Sequence, residues 1–101
     1  MLRTAREGTN RESRTRRRLV LEYLRDAEET VTISDLAEHI AAIENDTTVQ
    51  QLNAQQRKRV YIGLYQSHLP KMDDANVVSF NQSRGLVELK PAAEDLYAYL
   101  D

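Results

Sequence analysis

The side chains whose types and spacing suit chemistry lie in the first half of residues 53–80. Amide and cationic groups are concentrated there, and such groups hydrogen-bond to base edges or hold phosphate oxygens. Apolar residues recur at helical spacing, which predicts one helix with a buried side. The predicted inward stripe is Val60, Tyr61, Leu64 and His68 or Leu69. The residues predicted to face outward, towards a nucleic acid, are Gln55, Gln56, Lys58, Arg59, Ile62, Gly63 and Gln66.

This helix is predicted to begin after Asn53, whose side chain caps it, and to end or bend near Pro70. A glycine in its middle, Gly63, costs up to about 1 kcal/mol relative to alanine. Two interpretations stay open: Gly63 permits close approach of a rigid surface such as a groove wall, or it is a neutral surface replacement. The predicted phosphate contacts in this part of the chain are Arg57, Lys58 and Lys71.

A second set of cations lies near the amino terminus. Residues 1–25 hold eight arginines and three glutamates, a charge of +5, so the remainder carries −7 because the whole chain carries −2. Residues 1–12 are predicted to be a flexible, Arg-rich arm, either a solvated tail or a segment that follows phosphates or enters a minor groove. Ser13 is predicted to cap the first helix, whose first turn contains Arg16, Arg17 and Arg18. These three are predicted to contact phosphate or, alternatively, to be solvated and paired with glutamates.

Composition excludes several classes of protein. At 101 residues the chain is predicted to be one domain over 13–101 after the arm, and no apolar run approaches the roughly 18 residues that span a bilayer. We predict a cytoplasmic protein with no membrane contact and no secretory signal. With no cysteine, two separated histidines, no Gly-rich phosphate loop and no nucleophile with a spaced base, we predict no enzyme, no metal site and no cofactor. No small-molecule effector is evident.

The remaining patterns predict a short strand over 31–33 and a second helix over 35–44 that Ser34 caps. Its apolar side is predicted to be Leu36, Ala37, Ile40 and Ile43. The connection 45–52 is predicted to hold an extra short turn capped by Asp46 or Thr47, with Leu52 packing inward. Two strands, 77–80 and 86–89, are predicted to form a hairpin in which Gly85 supplies a positive φ and Arg84 lies at the tip.

A last helix over 92–100 is predicted to start after Pro91. Its apolar and aromatic residues are a natural dimer contact, or they pack on the first helix. The predicted dimer interface is Leu96, Tyr97, Tyr99 and Leu100. The order of elements predicts an α+β winged helix-turn-helix, with a three-helix core, a two- or three-stranded wing sheet and a C-terminal helix.

Several segments occur together that resemble a known family. They are Arg-Arg-Arg at 16–18, Leu-Ala-Glu-His-Ile-Ala at 36–41, Arg-Lys-Arg-Val-Tyr at 57–61, His-Leu-Pro-Lys at 68–71 and the strand-turn-strand at 77–89. Through these segments, residues 16–101 resemble a family of small winged-helix proteins from haloarchaea. More distantly, residues 68–78 are similar to the run that ends the recognition helix of ArsR-type and MarR-type repressors, with Asn76 where glycine is usual. The resemblance implies a winged-helix fold and transcriptional regulation. The few lysines, three against eleven arginines, together with abundant Asp and Glu are typical of salt-adapted proteins.

Two functions follow as hypotheses. The first is a homodimeric, sequence-specific regulator that binds double-stranded DNA, reading the major groove with the helix at 53–69 and the flanking backbone or minor groove with Arg84. The second is a winged-helix module that binds another protein and no DNA, because winged helices are reused for protein contacts. The acidic remainder of the chain and the tyrosines at 61 and 65 favour the second.

Overall fold

The computed structural model describes the backbone of residues 2–91 and the side chains of residues 15–91. Its elements are α1 (Leu2–Ala27), β1 (Val31–Thr32), α2 (Ile33–Glu44), a 3₁₀ turn (Val49–Gln51), α3 (Ala54–Gly63), a π turn (Leu64–His68), α4 (Leu69–Asp74), β2 (Val78–Asn81) and β3 (Leu86–Leu89). The fold is α+β, with helices packed against a three-stranded antiparallel sheet. The predicted helix over 92–100 lies outside the described residues.

The first helix is longer than predicted. It begins at Leu2, so Ser13 lies inside it instead of capping it, and the predicted start is wrong. The division into an arm and a domain stays a prediction. Val20, Leu21 and Leu24 are at most 1% exposed and hold α1 against the core. Their spacing is that of one helical side.

The second helix also starts earlier than predicted. Thr32, not Ser34, is its N-cap, and the Thr32 hydroxyl accepts a hydrogen bond from the backbone N–H of Asp35 at 3.1 Å. Its buried residues are Ile33, Leu36, Ala37, Ile40, Ala41 and Ala42. Ile43 is 48% exposed, so its predicted place on the apolar side is wrong. The 3₁₀ turn that follows confirms the predicted extra turn, although its N-cap is Thr48 with no side-chain hydrogen bond. Leu52 packs inward as predicted.

The third helix begins as predicted. Asn53 caps it in a reciprocal arrangement: its side chain accepts from the N–H of Gln56 at 2.8 Å, and the Gln56 side chain accepts from the N–H of Asn53 at 3.0 Å. The alternative of a bend near Pro70 stays a prediction, whereas an end there is wrong, because the chain stays helical to Asp74. The π turn just before Pro70 allows this. There the N–H of Leu69 bonds to the carbonyl of Leu64, five residues back, which widens the helix where a proline ring would otherwise clash with the preceding turn.

The sheet has the order β1-β3-β2, with both pairings antiparallel. In the predicted hairpin, Phe80 lies opposite Val87 and Val78 opposite Leu89. Gly85 has a φ of 66° as predicted, and Asn76, in the turn between α4 and β2, adopts a left-handed conformation with a φ of 67°. The β1 strand pairs with β3 through Val31 and Val87, so the start of α2 is attached to the hairpin.

One hydrophobic core joins all of these elements. It includes side chains from α1, α2, α3, α4 and the sheet, among them Leu24, Ile40, Leu64, Leu69 and Val87, each at most 1% exposed. This packing fixes which side of α3 is left for solvent. Among the described residues, no helix combines the length and apolar character needed to cross a membrane.

Candidate nucleic-acid interface

The solvent side of α3 and of the π turn that continues it is mostly polar with one apolar residue. Gln55, Arg59, Ile62 and Gln66 are all exposed, and we call these four the outward stripe. The first three lie within about 60° of each other around the helix axis, at about 100° per residue. Opposite them, Val60 and Leu64 are at most 2% exposed and belong to the core. The predicted orientation of α3 is therefore confirmed for these residues.

A row of aromatic rings runs from α3 to the hairpin. Tyr61 and Tyr65 stack with ring centroids 6.2 Å apart and planes 9° from parallel. Tyr65 meets Phe80 of β2 edge-on at 5.9 Å. Tyr61 is 36% exposed, so its predicted place on the inward stripe is wrong. The row fixes the hairpin beside α3, and the carboxylate of Asp73 adds a hydrogen bond from the N–H of Phe80 at 2.9 Å.

Arg57 lies next to the stripe in sequence but points inward. Its Nη1 donates to Glu38 Oε1 at 2.5 Å, and its Nη2 donates to the carbonyl of Val49 at 2.8 Å. The residue thus ties α3 to α2 and to the 3₁₀ turn. Lys58, the next residue, is exposed. The structure therefore separates two cations that the sequence placed together as phosphate contacts.

Arg16 and Gly63 form another internal contact. The guanidinium of Arg16 pairs with Glu44 through Nε–Oε2 at 2.7 Å and Nη2–Oε1 at 2.6 Å. A Cβ added at Gly63 would lie 2.8 Å from Arg16 Nη1. Gly63 therefore leaves room for the Arg16 side chain. On one interpretation of the sequence, Gly63 permits close approach of a groove wall, but in the structure it is Arg16 of α1 that approaches it. Arg18 pairs with Glu22 at 3.3 Å on the exposed side of α1.

Arg17 of α1 and His68 of the π turn are both at least partly buried polar residues. The Nε of Arg17 is buried without a hydrogen-bond partner. His68 is 8% exposed. Burial lowers the pKa of His68 to about 4, and the nearby positive charges of Arg16, Arg17 and Lys71 act in the same direction. The imidazole is therefore neutral near neutral pH and serves packing rather than phosphate binding.

The other predicted contacts lie on the surface. Lys71 is exposed on α4. Arg84 is exposed in the hairpin loop, where its backbone N–H donates to the side chain of Asn81 at 3.2 Å. Gln56 is half-buried and engaged in the cap of α3. Of the predicted contacts, the structure thus leaves Arg18, Gln55, Lys58, Arg59, Gln66, Lys71 and Arg84 exposed to solvent. The predicted dimer residues Leu96, Tyr97, Tyr99 and Leu100 lie outside the described residues.

A cavity of about 490 Å³ lies between α1, the end of α2 and α3. Thr15, the Arg16–Glu44 pair and Arg59 contribute to its walls. Within residues 15–91, no three or more His, Cys, Asp or Glu side chains come together as metal ligands would. The sequence could not have identified Glu38 and Glu44 as partners of the arginines, because they lie 19 and 28 residues away along the chain.

Comparison with known proteins relates the chain to a protein family. No curated protein sequence and no solved structure matches the chain significantly. A family model described as "Domain of unknown function (DUF7344)" matches residues 13–88. These residues cover most of α1, all of the outward stripe and most of the hairpin. The chain belongs to the family described as Domain of unknown function (DUF7344).

Proposed function

We propose that this protein is a winged helix-turn-helix regulator that binds double-stranded DNA sequence-specifically as a homodimer in the cytoplasm. The fold supports the proposal: α2 and α3 pack together, and an antiparallel hairpin follows them, which is the order of a winged helix. In this assignment α3 enters the major groove and the hairpin lies along the flanking backbone. The arrangement also resembles the ArsR-type and MarR-type repressors in the left-handed Asn76 between helix and strand.

The observation that carries the proposal is the outward stripe. Two amides and a guanidinium, those of Gln55, Gln66 and Arg59, are exposed on one side of a helix whose opposite side is fixed in the core. Amides pair in two-bond fashion with adenine, and guanidinium with guanine, at major-groove edges. A helix rigidly attached by its other side holds such groups in register with successive bases.

The phosphate contacts come from the cations that remain exposed. Lys58 lies beside the stripe, Lys71 on α4, Arg84 on the hairpin and Arg18 on α1. Arg16 and Arg57 were predicted to contact phosphate. In this proposal they act indirectly: their guanidinium groups pair with Glu44 and Glu38 and so orient α3. Because the whole chain carries a net charge of −2, we expect short-range contacts rather than long-range attraction to set the affinity. This suits a salt-rich cytoplasm, where the screening length at about 1 M salt is roughly 3 Å.

The test is selection of bound sequences from a random double-stranded DNA pool, carried out over a series of salt concentrations. We expect an enriched inverted repeat with half-sites about 10 base pairs apart, the spacing of a two-fold symmetric dimer. The double variant Lys58→Gln/Arg59→Gln should lose this binding and keep its circular dichroism spectrum. The control is Arg25→Gln/Lys90→Gln, which removes the same charge at the cavity beside the end of α1 and β3. It should bind as the wild type does.

A second function has its own supporting observation. Tyr61 and Ile62 are adjacent, 36% and 40% exposed, and aromatic and aliphatic side chains of this kind anchor protein interfaces. In that case the chain would be a protein-binding module without DNA affinity. The random DNA pool would then yield no enriched sequence at any salt concentration.

Unchanged DNA binding by the Lys58→Gln/Arg59→Gln variant would refute the role given to α3 in the first function.

A further inference from the structure

We infer that Ile62 is a specificity-determining residue that recognises the C5-methyl group of a thymine, because it is the apolar member of an otherwise hydrogen-bonding outward stripe on α3. The inference rests on the proposed function and deepens it, since it names a base of the target. It concerns the one residue of the stripe that forms no hydrogen bond through its side chain.

The position of Ile62 is the first step. It is 40% exposed, and it lies between Arg59 and Gln66 along the helix, close to the middle of the solvent side. The opposite side, at Val60 and Leu64, is fully occupied by the core. A rotation of α3 that would hide Ile62 would expose those two residues, so the core fixes the direction in which Ile62 points.

The chemistry of the groove is the second step. The thymine methyl group is the apolar feature of the base edges in the major groove, while the other groups there are hydrogen-bond donors and acceptors. An isoleucine pressed against a donor or acceptor would remove its water and offer nothing in exchange. Contact with a methyl group has no such penalty and removes apolar surface from water. Ile62 therefore favours thymine and disfavours the edges of guanine and cytosine.

The spacing of the stripe locates this thymine. Arg59 and Ile62 are three residues apart, which is about 4.5 Å along the helix axis at 1.5 Å per residue. One base-pair step is about 3.4 Å. The thymine should therefore lie one or two base pairs from the position that Arg59 reads. That position is found by repeating the selection with Arg59→Gln and noting which base preference is lost.

The test replaces single thymines of the selected site by uracil, which lacks only the methyl group. One uracil, at the thymine near the Arg59 position, should weaken binding about fourfold, the factor supplied by burial of one methyl-sized group. Ile62→Ala should weaken binding to the thymine site and erase the difference between thymine and uracil. Ile62→Val, which keeps a branched apolar side chain, should retain most of that difference.

The matched control is Ile43→Ala. Ile43 is an isoleucine of similar exposure, 48%, that lies on α2 and not on the stripe. This variant should keep the full difference between thymine and uracil. A selected site that binds equally well with uracil at every position would overturn the inference while leaving the proposed function standing. So would an undiminished uracil effect in Ile62→Ala. Failure to select any DNA would overturn both.

Discussion

Arg16 and Glu44 form a two-bond ion pair that joins α1 to the end of α2, and the guanidinium lies over Gly63 of α3. Three helices therefore meet at one arginine. The side chains of Arg16 and Glu44 are 21% and 25% exposed, so the pair is partly shielded from solvent. Because α3 carries the outward stripe, this junction helps to set the angle at which the stripe is presented.

The Arg16–Gly63 contact predicts a coupling between two substitutions. In an Arg16→Ala background, Gly63→Ala should raise the unfolding free energy by about 1 kcal/mol through helix propensity alone. In the wild type the gain should be smaller or absent, because the new methyl would lie 2.8 Å from Arg16 Nη1 and displace the guanidinium from Glu44. Urea unfolding of the four proteins measures the coupling. Additive effects would show that Arg16 moves aside without loss.

Arg57 and Lys58 should differ although they are neighbours. Arg57→Ala should lower the unfolding free energy by about 1–2 kcal/mol, because the part-buried side chain holds both Glu38 and the carbonyl of Val49. Arg57→Lys should recover only part of this, since an ammonium lacks the planar fork that reaches two acceptors. Lys58→Ala, the matched control on the exposed side, should change stability by less than about 0.5 kcal/mol. Equal effects at the two positions would refute the internal role of Arg57.

His68 should make stability depend on pH. Its pKa is about 4 in the folded protein and 6.5 in the unfolded chain, so the unfolded state binds the proton first as the pH falls. The contribution of His68 to the unfolding free energy is therefore complete above pH 6.5. It is lost as the pH falls towards 4, at up to about 1.4 kcal/mol per pH unit. Unfolding free energies measured across this range should show the slope.

Two variants isolate the contribution of His68. His68→Leu places an apolar, non-titrating side chain in the buried site and should flatten the slope between pH 6.5 and 4. His39→Gln changes the other histidine, which is exposed, and should leave the slope as it is. A slope of the same size in His68→Leu would assign the pH dependence to carboxylates instead.

The sequence alone determined the features that depend on neighbours within a turn or two. The burial of Val60 and Leu64, the cap at Asn53, the hairpin, and the positive φ of Gly85 were all predicted correctly. Each follows from side-chain period, from a short hydrogen bond or from the backbone freedom of one residue. These local rules operate whatever the rest of the chain does.

Only the tertiary structure decided which cations remain on the surface. Arg57 and Lys58 look alike in sequence, but Glu38, 19 residues away, turns one of them inward. Glu44, 28 residues from Arg16, holds the Arg16 guanidinium of α1 in an ion pair. Likewise Pro70 did not end its helix, because the π turn before it removed the clash. The outward stripe was therefore foreseeable from periodicity, whereas the arginine pairs that orient it depend on contacts between distant segments, which no local pattern encodes.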